Sequence, residues 1–97
     1  MTPLPPTPAN IELAKRVIWF EPPAQALAQP SRFLAYAFRF ANLDDMDVIR
    51  RHYSADDLSN ALINAPPGII DPRSWAYWNL ILRDLSPPPP MPTRTFA

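Results

Sequence analysis

Fifteen of the 97 residues are proline and only one is glycine, and the prolines cluster so as to cut the chain into short segments. A proline fixes its own φ, lacks an N–H donor and pushes the preceding residue out of the α region. Helices are therefore expected to stop before Pro22-Pro23, Pro66-Pro67 and Pro87-Pro90. Between these breaks helix formers dominate, and no stretch alternates apolar and polar residues over the length of a strand. The expected fold class is all-α: a compact bundle of five or six short helices with Pro-rich flexible termini.

Four prolines lie in Thr2–Pro8 and five in Pro87–Pro92. Residues 1–8 therefore read as a Pro-rich disordered arm, residues 9–86 as a single helical domain and residues 87–97 as a polyproline-like tail. The remaining domain is near the size at which one core is only just sufficient, which favours an oligomer or a protein partner.

Asn10 is the expected N-cap of the first helix, in which Ile11, Ala14, Val17 and Ile18 recur at helical spacing and Leu13 and Phe20 widen the stripe. The Ala/Gln/Leu-rich run from Pro23 to Gln29 has room for two helical turns. Pro30 and Ser31 open a stronger helix, in which Phe33, Leu34, Ala37, Phe38 and Ala41 share a face, with Tyr36 and Phe40 on a flank between Arg32 and Arg39. The segment from Asn42 or Leu43 to His52 carries Asp44, Asp45 and Asp47 near its start and Arg50, Arg51 and His52 at its end. That polarity complements a helix dipole. Its expected buried positions are Leu43, Met46, Ile49 and Tyr53. Ser54 with Asp57 forms a capping-box pattern for the next helix, with Leu58, Ala61 and Leu62 inward. Ile69 and Ile70 cross the Pro66-Pro67-Gly68 break as an apolar clamp. Asp71 at N-cap and Pro72 at N1 start the last helix, whose inward face is expected at Trp75, Trp78, Leu82 and Leu85.

The function classes narrow quickly. Without cysteine there is no disulfide framework, thiolate metal site or Cys nucleophile. Nine Lys plus Arg balance nine Asp plus Glu, so the chain lacks the basic footprint of a nucleic-acid binder. A single glycine leaves little room for phosphate-cradling loops. No apolar run approaches the roughly 20 residues of a membrane span, and MTPLPPTPAN lacks a signal peptide's basic-then-apolar layout. A cytoplasmic location is the expectation.

Catalysis finds few candidates. His52 is the only histidine, and it ends a helix, where a charge-dipole contact accounts for it. Asp44, Asp45, Asp47, Asp56 and Asp57 could be imagined as metal or acid/base carboxylates, but they fall in first turns of helices, where acids stabilise the helix itself. No Ser-His-acid arrangement can be inferred for Ser54, Ser59, Ser74 or Ser86. The reading is a non-enzyme with no metal and no cofactor.

The remaining signal is aromatic. SWAYWNLILRD, from Ser74 to Asp84, is apolar over more of its circumference than a small protein usually buries. Tyr77 and Trp78 point in different directions from one helix, so at least one of them, or Trp19, should reach the surface. Trp19, Phe20, Tyr77 and Trp78, with Arg73, are the candidate protein-binding residues, since Trp, Tyr and Arg dominate interface hot spots. An alternative is a DNA-binding autoregulator with a helix-turn-helix-like segment around 43–64, contacting nucleic acid through Arg50 and Arg51. Its recognition helix would be ADDLSNALIN, which has two aspartates and no cation.

The run VIWFEPPAQALAQPSRFLAYAFRFANLDDMDVIRRHYSADDLSNAL, followed by Ile70-Asp71-Pro72-Arg73-Ser74-Trp75-Ala76-Tyr77-Trp78, resembles a group of small bacterial proteins encoded beside nucleotidyltransferase-like toxins of the abortive-infection AbiEii type. The similar features are an opening Trp-Phe, a Phe-Leu-Ala-Tyr-Ala helix, an Asp-Met-Asp-Val-Ile-Arg-Arg-His-Tyr step and a closing aromatic helix. In order they run from Val17 to Leu85, about three quarters of the chain, and leave out the Pro-rich tails. The resemblance implies a non-enzymatic, antitoxin-like partner that binds and neutralises its neighbour's toxin. It carries over no catalytic residue.

Overall fold

A computed structural model describes residues 1–92. Thr93–Ala97, including Phe96 of the expected tail, lie outside the described residues. The described chain forms six α-helices: α1 Pro8–Val17, α2 Pro23–Leu27, α3 Pro30–Phe40, α4 Leu43–His52, α5 Ala55–Ile63 and α6 Pro72–Arg83. This is the expected all-α bundle.

Local chemistry places most boundaries. Asn42 Oδ1 accepts from the Asp45 N–H at 2.8 Å and so caps α4. Ser54 and Asp57 cap α5 reciprocally, at 3.1 and 3.4 Å. The Asp71 carboxylate accepts from the Ser74 N–H at 3.4 Å, with Pro72 at the first helical position of α6. Each such cap is worth about 1 kcal/mol. Prolines open α2 and α3 without a side-chain cap. Gly68, after Pro66-Pro67, has φ 87°, a left-handed conformation that glycine adopts without a Cβ clash.

The start of α1 differs from the sequence reading. Thr7, not Asn10, is the N-cap, accepting from the Asn10 N–H at 3.2 Å. Asn10 is instead a buried residue whose Nδ2 donates to the Pro5 carbonyl at 2.9 Å. The far end differs too: α1 stops at Val17, and Trp19 and Phe20 occupy a turn rather than a helix.

The central post is α3. It packs on α1, α2, α5 and α6, and buries Phe33, Leu34, Ala35, Ala37 and Phe38. Burying each large side chain is worth roughly 1.5–3 kcal/mol, so this helix organises the core. By contrast, α6 leans on α3 and α5 with one side only, through Trp75, Trp78 and Asn79. Leu82 and Leu85, expected inward, are only half-buried, and the third buried residue of α6 is Asn79, which is fully covered. Its amide donates to the Trp75 carbonyl and accepts from Arg83, both at 2.9 Å, so its polar atoms are satisfied within α6.

At the edge of the bundle, α4 is held by Met46, Ile49 and an ion pair. Arg16 of α1 grips buried Asp45 through Nε at 3.2 Å to each carboxylate oxygen and through Nη2 at 2.6 Å. This hydrogen bonding holds the Arg16 guanidinium above its ordinary pKa. Leu43, expected inside, is 77% exposed, because no neighbouring helix reaches the first turn of α4 on that side.

Both Pro-rich ends lie on the body. Leu4 is buried in the core beside the α4–α5 corner, where Tyr53 is also buried, and His52 Nε2 lies 2.9 Å from the Thr2 carbonyl. Residues 1–8 are thus a strap rather than the free arm expected. At the other end, the Trp75 indole N–H donates to the Pro89 carbonyl at 2.7 Å, and Met91 packs against the core.

Candidate functional site

Two exposed apolar surfaces hold the candidate residues. The first is a groove of about 510 Å³ where the end of α3, the start of α4 and the first half of α6 meet. Its position follows from α3. Ala41 leaves the helix in an extended conformation, which swings α4 away and opens a gap that α6 does not fill. Phe38, Met46 and Trp78 line the gap together with Leu43, Tyr77 and Arg73.

Trp78 is only 7% exposed, as its expected place on the inward face of α6 implies, so among the candidate binding residues it forms a wall of the groove while Tyr77 reaches the surface. Its indole N–H donates to the Phe38 carbonyl at 2.9 Å, and the two rings lie 5.4 Å apart. Phe38 sits in the last turn of α3, where carbonyls have no intrahelical partner. The indole supplies one. Tyr77 meets the Trp78 ring edge-on at 4.9 Å and is 48% exposed. Tyr77, Leu80 and Ile81 follow i, i+3, i+4 and are all exposed, so the outer side of α6 is an apolar strip running from the groove. Arg73 is exposed at the same end and makes no ion pair among the described residues.

The second surface is an aromatic cluster. Trp19 and Phe20 are 61% and 52% exposed. Trp19 meets Phe40 edge-on at 4.9 Å, Phe20 meets Tyr36 at 5.5 Å, and Tyr36 stacks with Phe40 at 6.5 Å. Arg32 lies over Tyr36 and Arg39 over Phe40, at 5.2 and 5.0 Å. Arg32 is also paired with Glu21, whose hydrogen bond raises its pKa. Tyr36 and Phe40 were absent from the candidates named above. Their place on the flank of α3, off its apolar stripe, was the available signal.

The structure thus divides the predicted set. Tyr77, Trp78 and Arg73 share the groove, while Trp19 and Phe20 belong to the other cluster. Arg50 and Arg51 are exposed in the last turn of α4, at the carbonyl end of its dipole. The helix that would follow them into DNA, α5, carries Asp56 and Asp57 in its first turn and no basic residue in its last. Among the described residues no three His, Cys, Asp or Glu side chains converge to hold a metal ion, and no helix is long and apolar enough to cross a membrane.

No protein family, curated protein or solved structure matches the chain.

Proposed function

We propose that this chain is a protein-binding module, and that its partner is a nucleotidyltransferase toxin which it neutralises by occupying the toxin's surface. The observation that carries the reading is the apolar groove at α6, bordered by exposed Leu43 and Tyr77 and continued by Leu80 and Ile81. Adjoining large apolar side chains left exposed on one face are a feature of protein-binding surfaces. The groove has room for one large apolar side chain of the partner, and Arg73 on its rim favours a neighbouring carboxylate. The Trp19–Phe40 cluster supplies a second anchor. The choice of a toxin as partner comes from the resemblance alone.

Co-expression with the neighbouring gene product, followed by co-purification and a growth assay, tests this. Wild-type protein should co-purify with the toxin and restore growth. Leu43→Arg with Tyr77→Arg should lose both while the helical circular dichroism stays unchanged. Retention of complex by that double variant would move binding away from the groove, and failure of the wild type to bind would end the proposal. The DNA-binding alternative requires affinity that falls steeply with salt and depends on Arg50 and Arg51.

A further inference from the structure

The tail does more than end α6. Between Pro87 and Pro92, the half-buried residues are Pro89, Met91 and Pro92, while Pro87, Pro88 and Pro90 are exposed. Pro89 and Pro92 stand three apart, which is one turn of a polyproline II helix, so both fall on the same side of such a helix. At Pro89 the tail meets an aromatic residue: the Trp75 indole N–H donates to the Pro89 carbonyl at 2.7 Å. An aromatic surface with one donor, reading a P-x-x-P segment, is the physical recipe by which proline-rich ligands are recognised. The ligand is pre-extended and loses little entropy on docking.

We propose that the side of α6 around Trp75 is a recognition site for proline-rich peptides, held in this chain by its own Pro87–Pro92 and open to a partner's proline-rich segment when they leave. This deepens the protein-binding reading, but at a face distinct from the Leu43–Tyr77 groove. The tail begins within a few residues of the end of α6, so its effective concentration at Trp75 is on the order of 1 mM. It acts as an intramolecular competitor. A partner's segment binds with an affinity reduced by the fraction of molecules in which the tail is closed.

The test needs only the full chain and a fluorescein-labelled peptide, Ser-Pro-Pro-Pro-Pro-Met-Pro, followed by anisotropy. No toxin is involved, so its outcome is independent of the groove. Wild-type protein should bind the peptide weakly. Pro89→Gly with Pro92→Gly, which loosens the tail, should bind it at least about 10-fold more tightly. Adding Trp75→Phe, which keeps a ring and removes the donor, should reverse that gain. Absence of peptide binding by the loosened variant, or binding indifferent to Trp75→Phe, overturns the proposal. A second readout uses the unaltered protein. Excess peptide, to about 10 mM and so above the tether's effective concentration, should shift the Met91 methyl resonance toward its free position. A Met91 methyl that stays in place refutes displacement.

Discussion

The indole N–H of Trp78 donates to the carbonyl of Phe38, joining α6 to the last turn of α3 across 40 residues of sequence. One bond serves two ends. It satisfies a carbonyl that α3 leaves open, and it fixes the ring that walls the groove. Trp78→Phe keeps most of the apolar contact but strands the Phe38 carbonyl. The expected cost is about 1–3 kcal/mol in urea unfolding. A change below about 0.5 kcal/mol, the range of ordinary surface substitutions, would mean that the carbonyl is served by water.

Leu4 gives the second prediction. It is 4% exposed although it stands in a Pro-rich terminus. Leu4→Ala should therefore destabilise the protein by about 2 kcal/mol, at the lower end for a buried leucine because the strap can fray. A free arm would register nothing in the same unfolding experiment.

Asp71 predicts an acid-side effect. Hydrogen bonding from Ser74 at the start of α6 holds its carboxyl below the ordinary aspartate value of about 3.9. The folded state thus favours the carboxylate more than the unfolded chain does. Its stabilising contribution is full above the unfolded value and is lost as pH falls through the lower folded value. Asn also caps helices but does not titrate. The stability of wild type minus that of Asp71→Asn should be flat above about pH 5 and should decline below about pH 4. A difference flat down to pH 2 would show that the cap has no ionic component.

Tyr53 predicts the opposite limb. Burial pushes its hydroxyl above the ordinary tyrosine value, outweighing the backbone of Leu4, which faces the Oη and pulls the other way. Folding therefore favours the protonated form. The associated stability is complete below about pH 10 and is lost as pH rises beyond it. Tyr53→Phe should remove that alkaline loss and at neutral pH should change stability by less than about 1 kcal/mol, since the hydroxyl's only neighbour is the Leu4 backbone and its contact there is weak. Clear destabilisation at neutral pH would mean that the hydroxyl has an ordered partner.

The helix starts were legible because their causes are local: Asn42, Ser54 and Asp71 act on N–H groups three residues away. The ends were legible only as breaks, since α1, α5 and α6 stop at Val17, Ile63 and Arg83, several residues before Pro22, Pro66 and Pro87. The inward residues of α3 and α5 were legible from their periodicity, since each has a single apolar stripe. Even here Thr7 displaced Asn10 as cap of α1, because both residue types cap well and the difference lies in where the strap runs.

Tertiary structure alone decided which aromatic and aliphatic sides are covered. A helix that is apolar most of the way round, such as α6, does not state which side meets a neighbour. That depends on α3, whose contact with Trp78 spans 40 residues, and on the tail folding back over Trp75. Leu43 reads as core yet faces water, and Leu4 reads as tail yet lies in the core, for the same reason. Hydrophobicity sets the drive for burial, but the packing of distant segments determines where there is room.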